Sequence, residues 1–138
     1  MGHVYADITL LNSLDDVLVQ RGDLPKENVR KVEVKAVVDC NVMPLFIDDE
    51  IAHQLDLSVQ DQVDVVFANG STCKCNRVGP VDILFQNRRT ACLAVVLPET
   101  TMVRLGVIPL SGMDVLIDPC KHQLVVHPAR PHCARMRV

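Results

Sequence analysis

Hydrophobic positions in this chain recur mainly with a period of two, in short runs separated by turn-forming clusters. The clearest run is residues 29–38, where Val32, Val34 and Ala36 alternate with Lys31, Glu33 and Lys35 before the sequence becomes wholly apolar at Ala36-Val37-Val38. Such alternation sets one face of a strand on a core and the other in water. Residues 4–11 and 17–20 read as earlier strands, with turn-prone residues 12–16 between them. Gly22 and Asp23 mark a turn, and residues 24–28 an exposed connection. The apolar end of the 29–38 strand carries the chain inward to Asp39-Cys40-Asn41, so a polar loop framed by apolar sequence is expected deep in the protein. Residues 43–47 are apolar again. Asp48 then caps a short helix with Ile51 and Leu55 on one face, and Asp49 and Glu50 suit its N-terminus.

Two hairpins follow. Residues 62–67 and 72–78 flank Ala68-Asn69-Gly70-Ser71, where Asn-Gly is a strong turn signal. Residues 81–85 and 90–97 flank a second turn at 86–89. Residues 100–105 suit one or two helical turns ending at Gly106, residues 116–117 and 123–127 give two last strands, and Pro128 with Pro131 ends regular structure. About nine short strands with one or two short helices make a mostly β domain, closed or nearly closed into a barrel. There is no repeat or flexible linker to divide it, so residues 1–128 read as a single domain and 129–138 as a C-terminal tail.

Composition sharpens this picture at a few points. With no Trp, one Tyr and three Phe, the core must be built from aliphatic side chains, which favours β packing. No apolar stretch approaches the roughly 18 residues of a membrane helix, and the first residues lack the pattern of a signal peptide, so a cytoplasmic location without membrane attachment is expected. A formal charge of −3 gives no basis for nucleic-acid binding, and the basic tail residues Arg130, Arg135 and Arg137 read as a solvated end. The six cysteines read as free thiols; Cys73 and Cys75 are too closely spaced for a usual zinc pair and have no second pair, so neither metal nor cofactor is expected. Cys92 lies in an apolar run and reads as a core residue.

The order of elements, and the residues in them, resemble the retropepsin-like (retroviral-type, clan AA) aspartic proteases. Ala36-Val37-Val38-Asp39 is similar to the apolar run into that family's Asp-Thr/Ser-Gly motif, and residues 46–57 resemble the strand and helix after it. The Asn69-Gly70 hairpin is similar in position to the substrate-covering flap, Leu105-Gly106 to the late apolar-Gly signature, and residues 113–119 to the C-terminal segment of bacterial members. The resemblance implies a retropepsin-like β-barrel and a homodimer acting on a peptide or protein substrate. Asp39 of each subunit would be catalytic, Cys40 and Asn41 would form the active-site loop, and Ala68, Asn69, Gly70 and Ser71 would form the flap. Two carboxylates sharing one proton supply a base to activate water and an acid to protonate the carbonyl.

The departures from the pattern matter equally. Cys40 replaces the expected Thr or Ser with a weaker donor, Asn41 replaces Gly with a side chain beside the carboxylate, and Val107 stands where retroviral members often carry Arg. Two functions therefore stand side by side: an aspartic endopeptidase, impaired or not, and a catalytically inactive module that binds extended peptide. Asp114 and Asp118 read as turn and strand-end residues, and His53, His122, His127 and His132 as surface residues.

Overall fold

In the computed structural model, which describes residues 3–99 and 101–138, the period-two runs become strands. In chain order the elements are β1 (Val4–Asn12), α1 (Ser13–Gln20), a 3-10 turn (Lys26–Asn28), β2 (Lys31–Val38), β3 (Leu45–Asp48), α2 (Asp49–Gln54), β4 (Val59–Val66), β5 (Thr72–Phe85), β6 (Arg88–Leu97), β7 (Arg104–Leu105), α3 (Val107–Met113), β8 (Val115–Asp118) and β9 (Gln123–Val126). They hydrogen-bond in the order β4-β5-β6-β3-β7-β2-β1-β9-β8, and a β5–β1 pairing joins six of them into a ring. The β4–β5 hairpin and the β8–β9 pair extend outside it.

The ring closes around aliphatic side chains, as the composition requires. Leu10 of β1, Ala36 of β2, Leu45 and Ile47 of β3, Ile83 of β5, Ala94 of β6 and Leu105 of β7 are fully buried, with Leu55 after α2 and Met113 at the end of α3. In β2 the burial alternates over residues 31–35, with Val32 and Val34 against the core, and becomes continuous at Ala36, Val37 and Val38. Asp48 caps α2 by accepting from the Ile51 N–H at 3.0 Å. Among the described residues no helix is long and apolar enough to cross a membrane.

Three expectations are corrected. Residues 17–20 are not a strand, and 12–16 are not a turn: Asn12 ends β1 and residues 13–20 form α1, whose N-terminus Asn12 caps by accepting from the N–H groups of Leu14 and Asp15. The helix has inverted polarity, which hid it. Ser13 and Asp15 face the protein, Asp15 accepting from the Arg30 N–H at 3.0 Å, whereas Leu14, Val17 and Leu18 are exposed. Second, the helical turn expected at 100–105 and ending at Gly106 lies on the other side of that glycine: Arg104 and Leu105 form β7, and α3 starts at Val107. Thr100 lies outside the described residues. Third, the tail is not a freely solvated end, because Arg130 makes a two-bond pair with Asp114 at 2.6 and 2.9 Å and the Arg135 N–H donates to the same carboxylate at 3.0 Å.

Candidate active-site loop

β2 delivers Asp39 at the point where core burial ends. The Val37 N–H bonds to the Val103 carbonyl at 2.8 Å and the Asp39 N–H to the Leu105 carbonyl at 3.0 Å, so β7 fixes the start of the loop. Beyond it, Val107 N–H donates to Val42 and Ile108 N–H to Met43, both at 2.9 Å, and the two segments interlock. Gly106 sits at the crossing: a Cβ built there would lie 2.3 Å from the Pro44 carbonyl oxygen and 2.6 Å from that of Met43. The apolar-Leu-Gly signature therefore has a local cause, since only glycine admits the backbone of 43–44 so closely.

Both oxygens of Asp39 are engaged. Oδ1 accepts from the Asn41 N–H at 2.9 Å, a side-chain-to-backbone turn that shapes the loop, and Oδ2 accepts from Arg104 Nη1 at 2.6 Å. Arg104 is on β7, opposite Val37 and Phe46, and alternates with buried Leu105, so its side chain leaves the core on the side where Asp39 follows β2. The pair is partly covered, with side-chain exposures of 38% for Arg104 and 17% for Asp39. The Asn41 N–H and then Arg104 hold the Asp39 carboxyl below the usual carboxylate range, outweighing its partial burial, with His3 adding a weaker pull.

The expected site residues are thus only partly brought together. Asp39, Cys40 and Asn41 form one loop, but not deep in the protein as expected: Asp39 is half-buried, and Cys40 and Asn41 are exposed where β2 leaves the core. Ala68, Asn69, Gly70 and Ser71 form a separate hairpin tip closed by the Phe67 N–H on Ser71 and the Gly70 N–H on Phe67, with Gly70 at φ +84° and the Asn69 side chain accepting from Ser71. This is a three-residue turn with a left-handed glycine, so only Gly70, and not Asn69, uses positive φ. Arg104 was missed from sequence. No local pattern singled it out, because residues 100–105 read as helical turns and its partner lies 65 positions away.

The cysteines are free thiols of unequal reactivity. Cys40, Cys120 and Cys133 are exposed, Cys75 is buried, and burial first, with Asp82 second, pushes the Cys92 thiol up to about 11. Because thiolate is the reactive form, a mass-resolved alkylation time course near neutral pH is expected to modify Cys40, Cys120 and Cys133 early and Cys75 and Cys92 only on unfolding. Early modification of Cys92 would contradict the packing described.

Acid behaviour follows from the paired carboxylates. Asp114 is held below the ordinary range by Arg130 and then the Arg135 N–H, as Asp39 is by Asn41 and Arg104. A carboxyl with a lowered folded-state pKa stabilises above its unfolded value, about 3.9, and that stabilisation is lost as pH falls toward the folded value. The unfolding temperature is expected to be nearly level between about pH 7 and 5 and to fall below about pH 4. A rise on acidification would refute these pairings.

No protein-family model matches this sequence, and no curated protein matches it. Among solved structures, the chain is similar to the retroviral protease-like domain of Ddi1 from Leishmania major, with a TM-score of 0.58 and 15% identity over 93% of this chain and 90% of that one. At that identity the likeness is one of fold: the chain has a mostly β, retropepsin-like fold.

Proposed function

We propose that this chain is a retropepsin-like module that binds an extended peptide segment without hydrolysing it. The Arg104–Asp39 pair carries this reading. Paired aspartates hydrolyse peptides because two like charges a few ångströms apart cannot both ionise, so one keeps a proton to give to the carbonyl while the other activates water. A guanidinium on each carboxylate cancels the repulsion that retains that proton and occupies an oxygen that would hold the water. The acid is lost. Cys40 and Asn41 act in the same direction, as a weaker donor and an added side chain in the loop.

What remains suits recognition. β4 is one of the two end strands of the sheet, with one edge not engaged by β5, and it carries exposed Val59 and Val66. An extended segment adding there gains backbone hydrogen bonds, with specificity from alternate side chains. Fluorescence anisotropy with a library of unstructured peptides tests this, comparing the natural protein with Asp39→Asn. Binding should be present and equal in both within about twofold. Absence of binding, or a tenfold loss with Asp39→Asn, would remove the proposal.

A second reading, a homodimeric aspartic endopeptidase with Asp39 of each subunit activating water under the 68–71 hairpin, draws support from apolar exposure near the loop. Met43 is 58%, Ile108 51% and Tyr5 42% exposed, a set that a two-fold partner could cover while bringing up a second Asp39. For catalysis Arg104 must first leave Asp39 for another acceptor.

A further inference from the structure

Arg88 opens β6 directly after the turn at 86–87 and is only 2% exposed. Its Nη2 donates to the Arg130 carbonyl, while Nε and Nη1 are buried with no hydrogen-bond partner among the described residues. A guanidinium offers five N–H donors and stays charged at any working pH, so burying it with two nitrogens unpaired is unfavourable unless something else is bound there. Asp114, the carboxylate that holds the strap, has both oxygens engaged by Arg130 and the Arg135 N–H.

The cover over Arg88 is attached through polar contacts. It is the C-terminal strap, held through Asn87 Nδ2 on the Pro131 carbonyl at 2.8 Å, Arg88 on the Arg130 carbonyl, and the Asp114 contacts. None of residues 128–138 is buried, so no apolar packing locks it down. The strap itself folds around an open cleft of about 510 Å³ whose lining includes Arg130, His132 and Arg135.

We propose that Arg88 is the anchor of an oxyanion site, taking a carboxylate or phosphate group between the 86–88 turn and the C-terminal strap. The Nε and Nη2 groups of an arginine form the fork that grips two oxygens side by side, as Arg130 grips Asp114. On Arg88, half of that fork is free and the other half rests on the Arg130 carbonyl. An oxyanion using the whole fork replaces that carbonyl, so binding and release of the strap are one event.

The test is a titration of the full-length protein with sodium phosphate and, separately, sodium acetate, at constant ionic strength held with chloride. It is read through the arginine Nε–H resonances, the Arg88 signal being the one missing from Arg88→Lys. The Arg88 signal is expected to move saturably, with strap amides such as those of Arg130 and Arg135 moving at the same midpoint. Saturation by acetate alone identifies a carboxylate as ligand, and by phosphate alone a phosphate group. Should Arg88→Lys not fold, unfolding temperature serves as readout: a saturable rise in the natural protein with either anion, exceeding that with chloride, supports the site. No saturable resonance shift, or a rise no larger than chloride gives, overturns it.

Discussion

Gly106→Ala is expected to destabilise the protein by about 3 kcal/mol, the upper end for forcing atoms into a packed interior. The added methyl would meet the backbone carbonyls of Pro44 and Met43 at 2.3 and 2.6 Å, and neither can rotate away as a side chain would. Moving Met43 also breaks its bond from Ile108, and moving β7 releases the Leu105 carbonyl that holds the Asp39 N–H. Loop and core would fail together. Urea unfolding of the variant and the natural protein measures the cost. Gly70→Ala is the control, because open space surrounds Gly70 and only its φ of +84° resists substitution, for about 1 kcal/mol. Equal effects of the two substitutions would show that the 43–44 and 106 segments do not cross as described.

The second large effect is a gain of function. Combining Arg104→Leu, Cys40→Thr and Asn41→Gly is expected to produce acid-shifted peptide cleavage at least about a hundredfold above the assay background that the natural protein gives, the scale on which small misplacements of catalytic groups act. Leucine at 104 frees Asp39 Oδ2 and lets the carboxyl rise toward its ordinary range, threonine restores a hydroxyl donor, and glycine removes the side chain beside the carboxylate. Adding Asp39→Asn to the triple variant should abolish the gain. Arg104→Leu alone should leave the protein folded at a cost of about 1 kcal/mol or less, because the pair it breaks is partly exposed. A triple variant that is folded and dimeric yet inert would show that Arg104, Cys40 and Asn41 do not account for the proposed inactivity.

Much of the fold was legible because its strands are half-buried. The alternation in 31–36 reports the sheet face directly, and the apolar run Ala36-Val37-Val38 correctly signals the stretch where burial becomes continuous. Asp48 and Asn69-Gly70 were readable because capping and turn formation are local. α1 was not, since burial of Ser13 and Asp15 is repaid by partners far away in sequence, Asp82 and Arg30, which leave Leu14, Val17 and Leu18 outside. Arg104 was invisible for a similar reason. Its meaning comes from a pairing of β7 between β2 and β3 that sets residue 104 beside residue 39, a separation no local pattern encodes. The strap was misread because a basic tail resembles a solvated end until Asp114, fixed in a left-handed conformation at the end of α3, supplies its partner.

The most direct test of the central claim is product release from an unbiased peptide library between about pH 3 and pH 7, with the natural protein and Asp39→Asn side by side. The account predicts no cleavage by either, because Arg104 holds Asp39 as a carboxylate with no acid partner. Cleavage by the natural protein that disappears in Asp39→Asn would contradict it and establish an aspartic endopeptidase.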